Sequence, residues 1–214
     1  MRLAGCPIEA RLLHKKEEPM DMQKSIWPNI AQNGNYSVSR KQLINGYSLW
    51  VQERVDDLGW NPFLMTFMFK PSSGNIMIKM ANEVTRVYST FLPRVVRNPR
   101  SKFAKDLRPL LLAVPDLPVA KRQKQKLHNV KINNGLHMHA ILVVPCKSRL
   151  KTDVVTHFKE HESIYVKNQL LRLDVEAIRS RLHNVVDYVF KSVKSEKFNW
   201  DDALIFPKAS SELP

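Results

Sequence analysis

Residues 136–144 read LHMHAILVV, a run in which two histidines interrupt an otherwise apolar sequence. Such a run, free of glycine and proline and rich in aliphatic side chains, is typical of a buried strand. Side chains two positions apart in a strand point to the same face, so His137 and His139 lie side by side while Met138 points into the core. The run therefore predicts a central strand that carries two neighbouring imidazoles.

The two imidazoles allow two interpretations. On a rigid sheet, His137 and His139 form the start of a site for a divalent metal ion. Alternatively, both rings are hydrogen-bonded structural groups on a half-exposed sheet face, since burying them without partners would be costly. Both interpretations stay open at the level of these residues.

The segments around this strand mix further strands with amphipathic helices. Residues 133–135, Asn-Asn-Gly, form a hairpin signal directly before it. Strands are also predicted over residues 62–70 and 108–114, and the second of these contains no acidic residue. A helix is predicted over residues 174–195, with Asp174 as its N-cap and an apolar face at helical spacing.

The positive charge of the chain is concentrated in one region. The 214 residues have a net charge of +14, and residues 94–126 contain ten basic and two acidic side chains, a net charge of +8. Such a field attracts polyanions, above all nucleic acid phosphates, although a solvated basic face or weak attraction to acidic lipids has the same composition. The basic residues expected to contact DNA are Arg94, Arg97, Arg100, Lys121, Arg122, Lys124 and Lys126.

The composition excludes several classes of protein. Hydrophobic residues make up 43% and charged residues 25%, which is typical of a globular rather than a disordered chain. No apolar run reaches the ~20 residues of a membrane-spanning helix, and the N-terminus lacks the apolar segment of a signal peptide. Cys6 and Cys146 are too few for a disulfide framework or a cysteine-rich zinc site. We therefore expect a cytoplasmic protein without a membrane partner, associated with the nucleoid through DNA.

A tyrosine and a lysine on the last predicted helix are the second candidate feature. Tyr188 and Lys191 are three positions apart and share a helix face, from which the tyrosine could be aimed at the two histidines. A free tyrosine, with a pKa of about 10, is a poor nucleophile at neutral pH, but a nearby lysine and a metal-bound phosphate would favour its phenolate. The alternative is a tyrosine at the core boundary beside a surface lysine.

The order and spacing of these features resemble the HUH endonuclease superfamily, whose members include rolling-circle replication initiators, relaxases and single-strand transposases. Residues 136–140, LHMHA, match its motif of two histidines around a hydrophobic residue. Residues 186–191, VDYVFK, resemble the single-tyrosine motif of replication initiators, and residues 64–67, LMTF, are similar to the weaker first motif. The resemblance covers roughly residues 60–195.

The resemblance implies an α+β fold with a central antiparallel sheet of about five strands and flanking helices. This is the HUH palm, related to ferredoxin-like and RNA-recognition (RRM-like) folds. On this basis we expect an N-terminal extension with one helix over residues 1–60, an HUH endonuclease domain over residues 61–196 and a C-terminal tail over residues 197–214.

The implied activity is site-specific cleavage of single-stranded DNA in rolling-circle replication or transposition of a plasmid, phage or mobile element. In this scheme Tyr188 attacks the DNA and becomes a 5′-phosphotyrosine, while Lys191 contacts a phosphate or helps to ionise the phenol. Mg²⁺ or Mn²⁺ is the implied cofactor, which polarises the scissile phosphate.

The implied partner is single-stranded DNA from an origin or a transposon end, including hairpin DNA. Host replication proteins and a second copy of the chain, as a homodimer, are further candidates. The rival function is a non-catalytic nucleic-acid-binding module on an RRM-like sheet, with the histidines as structural groups.

The family usually has a third metal ligand, and the sequence offers several candidates. His128 lies opposite His139 and on its face if the hairpin loop is Asn133-Asn134, but a loop one residue longer moves it to the other face. The alternatives on the tyrosine helix are Asp187, His183 and Asn184. The expected set of metal ligands is thus His137, His139 and His128.

Overall fold

The computed structural model describes residues 39–117 and 135–208 of the chain. Most of the expected N-terminal extension and the expected hairpin loop at Asn133-Asn134 lie outside the described residues. The same is true of the expected site residues His128, Lys121, Arg122, Lys124 and Lys126.

The first described part of the chain contains two helices and two strands. Helix α1, Arg40–Asp56, is followed by strand β1, Asn61–Phe69, and by helix α2, Ile76–Val95. A short 3₁₀ helix, Lys102–Leu107, then leads into strand β2, Leu110–Asp116.

The second described part begins with the histidine strand. Strand β3, His137–Val144, is followed by helices α3, Val154–Glu160, and α4, Glu162–Tyr165. Strand β4, Leu170–Ala177, precedes helices α5, Leu182–Val189, and α6, Lys191–Lys194. A 3₁₀ turn, Trp200–Asp202, and strand β5, Leu204–Phe206, complete the described chain.

Short polar side chains begin several of these helices. The hydroxyl of Ser39 accepts a hydrogen bond from the backbone N–H of Gln42, whose side chain accepts one from the backbone of Ser39. This reciprocal capping box satisfies N–H groups that have no partner within the helix. Asn75 and Asp153 accept hydrogen bonds in the same way at the starts of α2 and α3.

The five strands form one antiparallel sheet in the order β4-β1-β3-β2-β5. The strand that carries the two histidines, β3, is its central strand. The expected α+β fold, with a five-stranded antiparallel sheet and flanking helices, is confirmed.

Helices cover both faces of the sheet, and the alternation along β3 divides its side chains between two cores. Met138 and Leu142 belong to the core that contains the buried side of α2. Ile141 and Val143 belong to the second core, with buried residues of α1, α5 and α6. The two histidines have the odd-numbered parity of the second group, so they face the layer formed by α1, α5 and α6.

The helix expected over residues 174–195 begins later than the sequence indicates. Asp174 does not cap a helix but lies within β4, opposite Thr66 of β1. Leu173 and Val175 both pack on the core of the α2 face, which is the period-two spacing of a strand. The three-residue spacing from Val175 to Ile178 fits a helix as well as the period of two fits a strand. Pairing with β1 makes this segment a strand.

The expected tail contains part of the sheet. Residues 204–206 pair with residues 111–113 of β2 as β5. Phe206 is buried, and its ring stacks on Tyr88 of α2 with the ring centroids 4.7 Å apart. Three residues are too few to show a period in the sequence, so only the contact with β2 identifies the strand.

None of the helices within residues 39–117 and 135–208 combines the length and the apolar composition that crossing a membrane requires.

Replacing Phe206 tests whether β5 belongs to the folded core. We expect Phe206→Ala to lower the free energy of unfolding by about 3–5 kcal/mol, because it removes a buried ring and leaves a cavity beside Tyr88. Phe103→Ala is the matched control, since Phe103 is exposed and its loss should change the value by no more than about 0.5 kcal/mol. Urea unfolding measures both, and equal effects of the two substitutions would contradict the assignment.

Candidate metal and tyrosine site

An acidic residue at the end of β2 joins the two histidines. Asp116 pairs with His137 across the β2–β3 ladder, which puts its side chain on the face of both histidines. The predicted strand over residues 108–114 stops short of this residue because Pro115 indicates a break. Within the described residues, β5 pairs with β2 only over residues 111–113, so β2 is an edge strand on that side at Pro115. Because a proline has no backbone N–H to donate, it is tolerated in a strand at such an unpaired edge.

Three side-chain atoms converge at this point. The Oδ2 atom of Asp116 lies 3.3 Å from Nε2 of His137 and 3.5 Å from Nε2 of His139. The two Nε2 atoms are 3.0 Å apart. The three side chains offer ligand atoms that all lie within 4.8 Å of one another, so they are close enough to bind a metal ion.

Hydrogen bonds behind the two rings fix their orientation. Nδ1 of His137 donates to the carbonyl oxygen of Gly135 at 2.7 Å, which leaves the Nε2 lone pair of the neutral ring for another partner. Nδ1 of His139 lies 3.1 Å from the hydroxyl of Thr66, the residue directly opposite it on β1. The neighbouring strand and the segment before β3 thus turn both Nε2 atoms toward Asp116.

The electrostatics of the site keep Asp116 and His139 in their ligand forms. Burial, with smaller contributions from the neighbouring His137 and Lys191, lowers the pKa of His139 to about 4 against the attraction of Asp116. His139 is therefore neutral at pH 7 and can donate its lone pair. Burial opposes ionisation of Asp116, but its polar contacts with His137, Lys191 and Ser192 hold its pKa well below its usual range.

The donor set fits a divalent metal ion. One carboxylate and two imidazoles form a mixed oxygen and nitrogen set, which suits first-row divalent ions. The hydroxyl of Ser192 donates to Oδ1 of Asp116 and so leaves Oδ2 as the oxygen that faces the histidines.

Helix α5 brings the predicted tyrosine to the same point. Its buried residues Leu182, Val186 and Val189 pack on the sheet, and Tyr188 lies beside this apolar stripe with 43% of its surface exposed. The Tyr188 hydroxyl lies 3.0 Å from Nε2 of His139. The Tyr188 hydroxyl thus lies beside the three candidate metal ligands, and the side chain is partly exposed to solvent.

The predicted lysine lies between the phenol and the carboxylate. Nζ of Lys191 is 2.6 Å from Oδ2 of Asp116 and 4.1 Å from the centre of the Tyr188 ring. Partial burial works against the charge of Lys191, but the hydrogen bond and charge of Asp116, with a smaller contribution from Tyr188, raise its pKa above the usual value. A permanent positive charge therefore lies beside the phenol.

The alternative third ligands on α5 have other partners or lie outside this cluster. Oδ1 of Asp187 pairs with Nζ of Lys194 at 2.5 Å. Nδ1 of His183 lies 3.1 Å from the hydroxyl of Ser48, and Asn184 is exposed. Within the described residues, the group of three that could hold a metal contains Asp116 instead.

The described basic residues of the predicted DNA-contacting set lie away from this site. Arg97 and Arg100 are exposed in the segment that precedes β2. Arg94 is partly buried, donates to the carbonyl oxygen of Thr90 at 2.5 Å and lies over the ring of Tyr165. The guanidinium of Arg94 is thus engaged within the protein, and the side chains of Arg97 and Arg100 are exposed.

No protein-family model matches this chain, and no curated protein or solved structure is similar to it. These comparisons therefore indicate neither a family nor an activity, and the chemistry of the site follows from its own geometry.

Replacing the carboxylate tests the metal site. We expect Asp116→Asn to weaken Mn²⁺ binding by at least about 100-fold, because it removes the only anionic ligand of the cluster. The wild-type protein should gain about 2.7 kcal/mol in unfolding free energy at a Mn²⁺ concentration of about 100 times Kd. Isothermal titration calorimetry and thermal unfolding with MnCl₂ measure the two effects.

Asp187→Asn is the matched control, because Asp187 pairs with Lys194 outside the cluster. This variant should bind Mn²⁺ like the wild-type protein. Unchanged Mn²⁺ affinity in Asp116→Asn would show that this cluster is not the binding site.

Proposed function

We propose that this protein is a metal-dependent, single-tyrosine endonuclease of the HUH type, which nicks and rejoins single-stranded DNA through a covalent 5′-phosphotyrosine. The observation that carries the proposal is the position of the Tyr188 hydroxyl, 3.0 Å from Nε2 of His139. A nucleophile, a permanent cation and a set of metal ligands lie together there, which is the combination that phosphoryl transfer by a tyrosine needs.

Asp116, His137 and His139 would hold the metal ion. When bound, Mg²⁺ or Mn²⁺ polarises the scissile phosphate and stabilises the charge that develops on it. The two imidazoles favour Mn²⁺, since Mg²⁺ prefers oxygen ligands alone.

The chain itself supplies the nucleophile. The ammonium group of Lys191 lies beside the Tyr188 ring, where it would contact a phosphate of the bound strand. The Tyr188 oxygen loses its proton to water and forms a bond to phosphorus while the bond from phosphorus to the 3′ oxygen breaks, and this 3′ oxygen takes a proton from water to become a free 3′-hydroxyl. The number of phosphate ester bonds is unchanged, so attack by a 3′-hydroxyl on the phosphotyrosine rejoins the strand.

The net charge of the chain supports DNA as the substrate. A charge of +14 on 214 residues attracts the phosphates of a single strand. We assign the activity to rolling-circle replication or transposition of a plasmid, phage or mobile element, at the nucleoid of its host. Because a single tyrosine lies at the described site, exchange between two strands would use a second copy of the chain or a second round of attack.

Removing the phenol hydroxyl tests the nucleophile. We expect the wild-type protein with Mn²⁺ to form an adduct that resists denaturant on 3′-labelled single-stranded DNA of randomised sequence, because the 5′-phosphotyrosine stays on the labelled fragment. Tyr188→Phe should abolish the adduct, since the ring keeps its packing and loses only the attacking oxygen. A denaturing gel with detection of the label measures the product.

Tyr47→Phe is the matched control, because Tyr47 stacks on Trp200 and lies outside the metal cluster. This variant should form the adduct at the wild-type level. DNA that is retarded on a native gel without any adduct, for the wild-type protein with either Mg²⁺ or Mn²⁺, would favour a non-catalytic binding module.

Removing a metal ligand should separate cleavage from binding. We expect His137→Ala to lower adduct formation by at least about 100-fold, because the metal cluster loses one of its ligands. The slope of log K against log salt for DNA binding should stay unchanged, since it depends on Lys and Arg. Fluorescence anisotropy at several salt concentrations gives the slope. His183→Ala is the control and should retain both adduct formation and DNA binding. If His137→Ala weakened DNA binding as much as it lowered adduct formation, the proposed separation of cleavage from binding would be contradicted.

A further inference from the structure

Phe103 projects into solvent from the 3₁₀ helix before β2. It is 82% exposed, more than any other large hydrophobic side chain in the described residues. Single exposed aliphatic side chains are common on protein surfaces. A phenyl ring has a larger flat apolar surface, so its burial against a partner contributes more binding free energy. The exposure of this ring therefore points to a function outside the core.

Hydrogen bonds hold the backbone from which this ring projects. The hydroxyl of Ser101 accepts a hydrogen bond from the backbone N–H of Phe103 at 3.3 Å, and the N–H of Ala104 donates to the carbonyl of Ser101 at 3.0 Å. Ala104 is buried, and Nε of Arg108 donates to the carbonyl of Pro99 at 2.8 Å. Because this backbone is already ordered, a partner that stacks on Phe103 would bind at little cost in backbone entropy.

The ring lies within a run of positive charge. Residues 97–105, which we call the basic aromatic turn, contain four basic side chains and no acidic one. All four are exposed, and they are Arg97, Arg100, Lys102 and Lys105. Nζ of Lys102 lies 5.2 Å from the centre of the Phe103 ring, so cation and aromatic face are presented together.

This turn lies beside the end of β2 that is remote from the metal cluster. The N–H of Arg149, five residues after the end of β3, donates to the carbonyl of Val95 before the turn. From Leu110 to Asp116 the strand rises about 20 Å at ~3.3 Å per residue. A stacked strand that reached both places would span at least about six nucleotides at ~3.4 Å each.

We propose that the basic aromatic turn is a second binding surface for single-stranded DNA, on which a base stacks on Phe103 and the surrounding cations pair with the phosphates. Aromatic rings between cations are the usual platform for single strands, because every base has a face that can stack. An anionic membrane fits less well, since one apolar side chain buries too little area for insertion. The proposal depends on the proposed function only for the choice of DNA as the strand.

The test measures equilibrium binding in a background that cannot form the adduct. In Tyr188→Phe protein, fluorescence anisotropy with a labelled oligo-dT of about 16 nucleotides gives Kd at several salt concentrations. We expect the further substitution Phe103→Ala to weaken binding by roughly 5- to 150-fold without changing the salt slope. Lys105→Gln should make the slope of log K against log salt less steep by about 0.7, and Phe103→Trp, which keeps an aromatic ring, should retain the affinity of the Tyr188→Phe parent.

Leu49→Ala is the matched control for the loss of an exposed apolar side chain. Leu49 is 70% exposed and lies one helical turn before the acidic Glu53. It should leave Kd unchanged, and Phe103→Ala should keep the unfolding midpoint of its parent. An unchanged Kd in Phe103→Ala overturns the proposal, as does a loss confined to binding of vesicles that contain an anionic lipid.

The adduct assay on the wild-type protein and the binding assay on Phe103→Ala test the nickase and the second DNA-binding surface separately. A wild-type protein that forms the adduct, together with unchanged DNA binding in Phe103→Ala, overturns the second surface and leaves the nickase. A wild-type protein without any adduct, together with weaker binding in Phe103→Ala, supports the second surface and overturns the nickase.

Discussion

The register between β2 and β3 is the constraint on which the candidate site depends. Asp116 lies opposite His137, and a slip of one residue would turn its carboxylate to the other face of the sheet. Apolar side chains on the site face of the two strands hold this register: they are Leu110, Leu112, Val114, Ile141 and Val143. Since a slip would remove them from the core under α1, α5 and α6, hydrophobic burial fixes the position of a polar cluster at its edge.

The buried carboxylate links the helices to the chemistry. A carboxylate as buried as that of Asp116 would cost several kcal/mol without partners. Lys191 and Ser192 of α6 are these partners. Packing of this helix on β2 therefore places the charge of Lys191 against the Asp116 carboxylate. Because Lys191 also lies against the ring of Tyr188, the same ion pair helps to position the phenol beside the histidines.

The sequence predicts the parts of this site that depend on local spacing. The period of two places His137 and His139 on one face, and the helical spacing around Tyr188 places the phenol and Lys191 on a common side. Asp116 is missed because Pro115 indicates the end of a strand, and only the short length of β5 explains why a proline is tolerated there. β4 and β5 are likewise decided by partners distant in sequence, which a local pattern does not contain.

Two adjacent stripes along α5 and α6 have separate tasks. Val186, Val189 and Val193 form the buried stripe that packs on the sheet. Tyr188, which is two positions after Val186 and one before Val189, lies on the neighbouring stripe with Lys191, where both face the edge of the core. Packing of α5 and α6 on the sheet thus buries the apolar stripe and at the same time places the polar stripe beside Asp116. Substitutions in the apolar stripe would therefore change stability and site geometry together. In the polar stripe, Tyr188→Phe addresses the chemistry alone, whereas a substitution of Lys191 would also remove a partner of the buried carboxylate.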